Sequence, residues 1–573
     1  PVAFIEDCAV TLDNLADYTA RLNQIFKKYD TSGMFYAHAS VGTLHVRPVL
    51  NMKSDKDIKN MKAIAEEAFS MVKDYKGSHS GEHGDGIVRS EFHEKMFGKK
   101  ITNAFEEIKD TFDSKNLLNP GKIVRPYKSD DRSLMRYKSN YKPDDIKTSY
   151  DWSEWGKFSD AIEMCNNNGA CRKLDSGVMC PSYRVTKEEK DLVRGRANTL
   201  RLALSNQLPK DSFVSKEMYE TMELCVSCKA CQNECPMSVD MAKMKSEFLS
   251  HYFKKFSMSI KDRVISNMPK LIWLLRIVSP IFNKIKNYPV ISGIIRKFGY
   301  ATEREMPTVQ NQFPLKEIYK SQIKSENKVI LFADTFNINF EIQNLMYTIK
   351  VLNKFGYEAI IPSFDNDNLK RPLCCGRTYI SYGQLDKAAE ELNRFVNYIL
   401  VNGFYETPIV GIEPSCLLTF SDEFKTLKNV KNKDKLKNQF YLLEEFVLKE
   451  INQGNNIGLN KFDQNVLIHG HCHQKSQDRM KGLTGLLSKL NINNKIIDSS
   501  CCGMAGSFGY SSKNYDVSKK MANLSLIPAV NESSEKDFIL ANGTSCRHQI
   551  SDLSEKKGKH VSELLFKIFE TVN

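Results

Sequence analysis

Four cysteines in the middle of the chain have a spacing that suits iron–sulfur chemistry: Cys225, Cys228, Cys231 and Cys235, the last followed by a proline. Three thiolates at two-residue gaps can bind three corners of a [4Fe-4S] cluster, and the cysteine before the proline usually ligates a different cluster. Zinc favours two separated cysteine pairs, so a zinc site fits this spacing less well. Buried thiols without metal are the other alternative. The motif predicts an iron–sulfur cluster.

A degenerate copy of the motif lies upstream. It consists of Cys165, Cys171 and Cys180, with Asn168 at the place of a middle cysteine. By the same crossover rule, Cys180 would complete the first cluster, and Cys235 would join Cys165 and Cys171 in a second. Because the second site has only three thiolates, it is a [3Fe-4S] centre, a cluster with another ligand, or no cluster.

A cysteine pattern occurs twice in the C-terminal third, which implies two similar domains. Each copy has a Cys-Cys-Gly run followed by a lone cysteine, and only the second copy has an earlier cysteine, where the first has the segment Leu331–Thr335 without one. The cysteines are Cys374, Cys375 and Cys416 in the first copy and Cys472, Cys501, Cys502 and Cys546 in the second. Such pairs bind an unusual cluster or lie buried without metal, and four thiols favour a redox or metal role for the second copy.

Three histidines alternate with other residues at 469, 471 and 473. On a strand they would share one face. Metal ligation, proton handling and ordinary packing are all compatible with this pattern.

The N-terminal region has the residues of a catalytic metal site. Residues 34–50 predict a hairpin that brings His38 and His45 together, and a glycine-rich loop carries Glu82 and His83. Two histidines and a glutamate are a common ligand set for Zn²⁺, and a free histidine base suits removal of a hydroxyl proton. The alternative is a turn with histidines in the core.

The elements that must position these groups belong to a globular protein of several domains. The chain has 573 residues, 41% hydrophobic and 26% charged, which excludes disordered and collagen-like classes. Apolar runs at 329–333 and 465–469 predict buried parallel strands, and helical segments alternate with them, so this part is α/β. No apolar stretch approaches the length of a membrane span.

The charge and cysteine distributions indicate a compartment and partners. Fifteen clustered cysteines and no secretion signal favour a reducing compartment. The net charge is +13, and residues 251–300 hold ten Lys or Arg and one Asp. This stretch is a packed connector with a solvated face, a contact with an anionic membrane, or a nucleic-acid patch, in that order of preference.

Together these residues resemble the FAD-linked oxidases of the vanillyl-alcohol-oxidase type. More closely, they resemble bacterial fusion proteins of the D-2-hydroxyglutarate/D-lactate dehydrogenase group. In these, a flavin oxidase precedes a ferredoxin module and a tandem cysteine-rich CCG region like that of heterodisulfide reductase. The matching segments are His38-x6-His45-Val46-Arg47-Pro48, Gly81–Gly86, Asn116–Lys122, Cys165–Arg172, Met179–Tyr183, Arg194–Ala197 and both Cys-Cys-Gly runs.

The resemblance implies roles for particular residues. His38, His45 and Glu82 would bind a divalent, zinc-like metal, and His83 would act on the substrate hydroxyl. Arg47 would lie near the substrate carboxylate. Asn119 and Lys122 would lie near the flavin. The family's FAD-binding domain would precede Pro1, so the chain is expected to be a C-terminal fragment that is inactive alone.

The predicted fold class is multidomain α+β and α/β. Its parts are the C-terminal part of an FAD-linked oxidase substrate domain (1–126), a linker (127–160), an all-helical 4Fe-4S ferredoxin domain (161–250), a basic helical connector (251–325) and two CCG domains (326–455 and 456–573).

The resemblance implies oxidation of a D-2-hydroxy acid with FAD, with electrons passed through one or two 4Fe-4S clusters and a further CCG cluster. The acceptor would be a quinone, an electron-transfer flavoprotein or another carrier, with no nucleic acid. The predicted location is cytoplasmic, with peripheral contact at the inner face of the membrane. The alternatives are a non-catalytic iron–sulfur subunit of a glycolate, glycerol-3-phosphate or heterodisulfide-reductase-like complex, and a zinc structural protein.

Overall fold

The computed structural model describes residues 1–310, 318, 320–362, 371–455, 458, 460 and 462–569, without the side chain of Trp273. It divides into two compact units, unit 1 (Pro1–Lys142) and unit 2 (Pro143–Asn573). The predicted domain limits at 456 and 573 lie outside the described residues.

Unit 1 contains a three-stranded antiparallel sheet of order β1-β3-β2. The strands are β1 (Cys8–Ala9), β2 (Gly33–His38) and β3 (Thr43–Pro48). Strands β2 and β3 form the predicted hairpin, with Tyr36 opposite His45. The helices of this unit are Leu15–Lys28, Asp55–Asp74, Gly86–Ser90, His93–Phe97 and Lys99–Phe112.

The apolar faces of helices Leu15–Lys28 and Asp55–Asp74 form much of the core of unit 1. Tyr18, Leu22 and Phe26 recur every four residues, so they share one face of the first helix, and all three are buried. They belong to one apolar cluster with Leu44 and Val46 of β3. This packing holds the hairpin against the helices, and with it the histidines on the hairpin.

Helices dominate the first part of unit 2. The helices there are Phe158–Glu163, Pro181–Thr186, Val193–Leu204, Lys216–Glu223, Ala230–Glu234 and Met241–Lys255. The basic stretch continues with Ile260–Ser266, Met268–Ile285 and Pro289–Lys297. Among the described residues, no helix is both long and apolar enough to cross a membrane.

Two parallel sheets follow, as the repeat predicts. The first has the order β5-β4-β6-β7 and consists of β4 (Lys328–Phe332), β5 (Glu358–Ile360), β6 (Ile409–Gly411) and β7 (Phe440–Leu442). The second has the order β10-β8-β9 and consists of β8 (Val466–Ile468), β9 (Asn494–Ile496) and β10 (Phe538–Leu540). The two predicted apolar runs form β4 and β8. Strand β4 pairs with both β5 and β6, and β8 pairs with both β9 and β10.

Helices separate the strands in both halves, which confirms the α/β prediction. Those of the first half are Thr335–Phe340, Ile342–Lys354, Arg377–Ser381, Leu385–Val401, Pro414–Ser421, Glu423–Thr426 and Leu443–Asn452. Those of the second half are Cys472–Ser476, Met480–Lys489, Tyr515–Asn523, Leu526–Glu532, Thr544–Leu553 and Val561–Phe569.

A buried charge network joins the ferredoxin-like cysteine motif to the first α/β half. The Lys229 side chain is fully buried, and its Nζ lies 2.6 Å from carboxylate oxygens of both Asp422 and Glu423. Arg377 donates to Glu423 at 2.6 Å, and Lys243 pairs with Asp422. Burial alone would raise the pKa of Glu423, but Arg377 and Lys229 lower it to about 2.

Replacing Lys229 by methionine is therefore expected to destabilise unit 2. The change leaves two buried carboxylates short of one cation, and breaking a buried ion pair from one side costs about 3–5 kcal/mol. Urea unfolding under anaerobic conditions would measure the loss, with exposed Lys557→Met as the control. Equal unfolding midpoints for the two variants would contradict this account of the network.

Candidate functional site

The histidines and glutamate predicted in unit 1 meet around one carboxylate oxygen. Oε1 of Glu82 lies 3.4 Å from His38 Nε2, 3.1 Å from His45 Nε2 and 3.6 Å from His83 Nε2. We call these four residues the Glu82 cluster. The His45 side chain is 3% exposed, whereas those of His38, Glu82 and His83 are 39–62% exposed, so the cluster is open to solvent on one side.

Hydrogen bonds to the Asp7 side chain fix the loop that carries Glu82 and His83. The Asp7 carboxylate accepts hydrogen bonds from the backbone N–H groups of Glu82 (2.9 Å) and His83 (2.8 Å). Gly84 follows with φ of 74°, a left-handed conformation that favours glycine. The buried Arg89 donates to the carbonyl oxygens of Glu6 (2.6 Å) and Gly84, which closes the loop.

His83 and Arg47 share one partner that sequence reasoning missed. Glu6 Oε1 lies 3.5 Å from His83 Nδ1, and Glu6 Oε2 accepts a hydrogen bond from Arg47 Nε at 2.7 Å. A carboxylate on one ring nitrogen of a histidine orients the other nitrogen toward a substrate. No sequence motif marks Glu6, because its partners lie far along the chain.

Asn119 and Lys122, predicted near a flavin, lie exposed on a turn after helix Lys99–Phe112. The Asp113 carboxylate holds this turn through the backbone N–H groups of Leu117 and Leu118, at 2.9 and 2.8 Å. Leu117 and Leu118 are themselves 73% and 66% exposed. The turn thus presents a polar and apolar surface to solvent.

In unit 2, four of the predicted cluster ligands surround one small cavity. Cys180, Cys225, Cys228 and Cys231 all line it. We call them the Cys228 cluster. This is the set that the crossover rule predicts, and four thiols around an internal space fit a [4Fe-4S] cluster.

Polar contacts hold the Cys180 segment against the downstream motif. The Glu234 carboxylate accepts from the backbone N–H groups of Val178 (2.7 Å) and Met179 (3.1 Å). The fully buried Arg196 places Nη1 3.8 Å from Cys180 Sγ, and Lys245 donates to the Cys225 carbonyl oxygen at 2.5 Å. Two cations beside the thiols would offset the negative charge of a cluster. Arg196 belongs to the Arg194–Ala197 motif, which was the available signal for it.

The predicted second set of ligands is brought together in part. Cys165 and Cys171 lie close enough to interact electrostatically, and burial raises the pKa of Cys171 to about 11. Asn167 Oδ1 accepts from Cys165 Sγ at 3.8 Å. Cys235 is half-buried against the same apolar cluster as these two cysteines. Its place as their fellow ligand stays a prediction.

The four cysteines of the second α/β half form a contiguous group, the Cys502 cluster: Cys472, Cys501, Cys502 and Cys546. They lie beyond the carboxyl ends of β8, β9 and β10, where open parallel sheets bind ligands. Contact with Cys501 lowers the pKa of Cys472 to about 6, and contacts with Cys501 and Cys546 lower that of Cys502. The same contacts raise the pKa of Cys501 and Cys546, so the four thiols lie close enough to share protons and to ligate one metal centre.

The equivalent cysteines of the first half, Cys374, Cys375 and Cys416, are also adjacent and lie in the apolar core. Thr335 stands at the place of Cys472, because each is the first residue of its helix. The N-cap before Thr335 is Asp334. Its carboxylate accepts from the N–H groups of Phe336 (2.9 Å) and Asn337 (3.0 Å). With threonine at the place of Cys472, the first half offers three thiols where the second offers four.

The prediction that His469, His471 and His473 share a strand face is wrong. Strand β8 ends at Ile468, and helix Cys472–Ser476 begins only four residues later, with His471 as its N-cap. His469 Nδ1 lies 2.8 Å from Ser499 Oγ, whereas His473 Nε2 lies 3.1 Å from the Ser227 carbonyl oxygen. Because of this strand-to-helix turn, the His469 and His473 rings contact different partners.

The Cys228 and Cys502 clusters adjoin each other. Burial raises the pKa of Cys228, and the nearby Cys472 thiol raises it further. The His473–Ser227 contact lies between the two clusters, and Ser500 Oγ donates to the Val178 carbonyl oxygen at 2.6 Å. Iron–sulfur clusters bound at these two neighbouring sets of cysteines would be close enough for electron transfer between them.

A cavity of about 580 Å³ borders the Cys502 cluster. One wall consists of these four cysteines with His471 and His548, and the opposite wall is formed by apolar side chains of the basic helices, among them Ile272, Leu275 and Phe282. Lys261 donates to Ser511 Oγ at 2.9 Å, which fixes the helices against the second half.

Comparison with known proteins defines the class. The chain matches the family models for FAD linked oxidases, C-terminal domain (residues 1–123), the 4Fe-4S dicluster domain (161–239) and the cysteine-rich CCG domain (466–551). The chain thus combines regions similar to FAD-linked oxidase, 4Fe-4S dicluster and CCG domains, as the motifs predict. The dicluster match agrees with two cluster sites in the ferredoxin-like part.

Individual relatives extend this likeness along the chain. The D-2-hydroxyglutarate dehydrogenases of Pseudomonas putida and Escherichia coli are 25% and 23% identical over 99% and 100% of the chain. The alignments cover 58% and 59% of those proteins, so the chain spans about three fifths of their length. One of the subunits of the anaerobic glycerol-3-phosphate dehydrogenase of Escherichia coli is 25% identical over 44% of the chain and 61% of its own length.

Proposed function

We propose that the protein oxidises a D-2-hydroxy acid of the D-2-hydroxyglutarate or D-lactate class and delivers the electrons to a downstream acceptor. The observation that carries the proposal is the convergence of three histidines on Glu82 Oε1, in a chain that also brings two cysteine clusters together. The names of the relatives support the same substrate class.

The donors of the Glu82 cluster fit a divalent, zinc-like ion. His38, His45 and Glu82 would hold it, because both Nε2 atoms lie within 3.4 Å of Glu82 Oε1 and the site is open to solvent on one side. The ligand atoms that lie within 4.8 Å of one another belong to Asp7, His45, Glu82 and His83, so an ion would have to draw His38 inward. When bound, such an ion polarises a hydroxyl group and a carboxylate, FAD accepts hydride, and iron–sulfur clusters carry single electrons.

The residues of this chain then perform the proton chemistry. His83 takes the proton of the C2 hydroxyl, and Glu6 orients its imidazole ring through Nδ1. Arg47 binds the substrate carboxylate from the open side, since its guanidinium is 43% exposed while Glu6 holds its Nε. Asn119 and Lys122 form part of the surface that faces the flavin.

The proposed acceptor is a lipophilic quinone that reaches the cavity beside the Cys502 cluster. Its apolar wall suits such a molecule better than the surface of a carrier protein. The helices that form this wall have exposed apolar side chains on their outer face, such as Ile277 and Val290, among many Lys and Arg residues. This composition supports peripheral contact with an anionic membrane surface.

Leu275→Glu is expected to lower the rate of reduction of a water-soluble short-chain quinone by about tenfold or more, because a charge in the cavity opposes an apolar ligand. Ile277→Glu, two residues along the same helix and 77% exposed, is the control and should leave that rate unchanged. Equal rates in the two variants would count against the cavity as the acceptor site.

A second candidate is a non-catalytic electron-transfer subunit, favoured by the likeness to the glycerol-3-phosphate dehydrogenase subunit. Turnover separates the two. The full-length parent of this chain, supplied with FAD, should oxidise D-2-hydroxyglutarate or D-lactate with a dye as acceptor, and the L enantiomers should react far more slowly. No turnover of any D-2-hydroxy acid by flavin-loaded protein would favour the non-catalytic role.

A further inference from the structure

A second group of metal-ligand side chains lies in unit 1 and includes none of the Glu82 cluster. His79, Asp85 and His93 each place a ligand atom within 4.8 Å of the other two. His79 and Asp85 stand at the two ends of the loop that carries Glu82 and His83, and His93 begins helix His93–Phe97. The proposed oxidation uses none of these three residues.

Several polar atoms of this group are buried without a hydrogen bond. Among the described residues, neither ring nitrogen of His79 has a partner, and the same holds for His93 Nε2 and Asp85 Oδ1. His93 Nε2 is 3.1 Å from Asp85 Oδ2, and His79 Nε2 is 3.6 Å from Asp85 Oδ1. The atoms are therefore close together but not aligned as hydrogen bonds. Leaving buried polar groups unpaired is unfavourable, and a bound ion would remove that cost.

Contacts around His93 and His79 fix the orientation of their rings, as metal ligation requires. His93 Nδ1 lies 3.1 Å from the Ile123 carbonyl oxygen, so Nδ1–H donates there and the Nε2 lone pair faces Asp85. Metal-bound histidines use their second nitrogen in this way. The His79 ring packs edge-on against Phe69 and Phe97. Burial lowers the pKa of His79 to about 4, so the imidazole is neutral at pH 7.

We propose that His79, Asp85 and His93 bind a second divalent ion, zinc, separate from the ion of the Glu82 cluster. Two imidazole nitrogens and one carboxylate oxygen form a known three-ligand zinc set that leaves a fourth position for water. The Asp85 side chain is 19% exposed, which gives the ion a way in from solvent. The ion would join both ends of the 79–85 loop to helix His93–Phe97, and so position Glu82 and His83.

Zinc and iron analysis of the intact protein tests this, after gel filtration in chelator-containing buffer. The wild type should hold about two zinc ions per chain, and His93→Gln and Asp85→Asn should each hold about one, with unchanged iron. Glutamine can still donate to the Ile123 carbonyl oxygen, so the fold is expected to survive. Far-UV circular dichroism checks this for both variants. His38→Gln should independently remove the other zinc.

Zinc content equal to that of the wild type in both His93→Gln and Asp85→Asn would overturn the proposal. Loss of zinc in these two variants but not in His38→Gln would support it and would instead count against a zinc ion in the Glu82 cluster. Loss of iron rather than zinc would refute the zinc assignment. The outcome is independent of turnover, so failure here and failure of the proposed function are distinguishable.

Discussion

His83→Gln is expected to lower kcat for the D-2-hydroxy acid by about 10²–10⁴-fold, the usual contribution of a positioned acid–base group. Of the Glu82 cluster histidines, His83 is the one with a carboxylate on its other ring nitrogen, Glu6 at 3.5 Å. Glutamine keeps a polar side chain of similar reach but cannot take a proton. Steady-state kinetics with a dye acceptor would measure the change.

The comparison is Glu6→Gln, which leaves His83 in place and removes the carboxylate charge beside both His83 Nδ1 and Arg47 Nε. We expect a smaller loss in this variant, together with an altered pH profile of kcat. Metal content should stay at the wild-type level in both, because neither residue belongs to the proposed ligands. If His83→Gln turned over at the wild-type rate, the base would have to be another group.

Cys502→Ser is expected to reduce electron delivery to the acceptor to the background of the assay. Cys502 contacts both Cys501 and Cys546, so its loss interrupts the group of four thiols at its centre. The variant should lose about four iron atoms per chain, the content of one cluster. Iron analysis and quinone reduction, both under anaerobic conditions, would measure the two effects.

Cys375→Ser in the first α/β half is the matched comparison. It changes the same element of the repeat, but the first half has Thr335 where the second has Cys472. We expect its iron content and quinone reduction to match the wild type. Equal iron loss in the two variants would show that three thiols suffice and that the two halves are alike. Unchanged iron in Cys502→Ser would remove the Cys502 cluster from the relay.

The local parts of the sites could be predicted from the sequence. The two-residue gaps between Cys225, Cys228 and Cys231 place three thiols on one turn, and the hairpin register follows from alternation and a short turn. The apolar runs at 329–333 and 465–469 are continuous, as expected for strands buried on both faces. These features depend on neighbours in sequence, so composition and spacing are sufficient.

The supporting residues could not be predicted, because their partners are distant in sequence. Glu6 meets His83, and Lys229 meets Asp422 and Glu423. Each charged side chain alone is compatible with a solvated surface. A signal did exist for Asp334, because an aspartate at a strand end before a helix is a common N-cap.

The histidine prediction failed for a definable reason. The alternation at 469, 471 and 473 extends a strand pattern past Ile468, where β8 ends. A glycine at 470 and the helix from Cys472 indicate a strand-to-helix turn, and periodicity over three residues cannot outweigh such a turn. The same turn gives Cys472 its place beside Cys501.

Electron paramagnetic resonance after addition of substrate tests the central claim most directly. The intact protein, purified without oxygen and supplied with FAD, would be frozen after mixing with D-2-hydroxyglutarate or D-lactate. The account predicts signals of reduced iron–sulfur clusters, the same ones that dithionite produces, and their absence after substrate in His83→Gln. Signals that dithionite produces and no D-2-hydroxy acid does would contradict it.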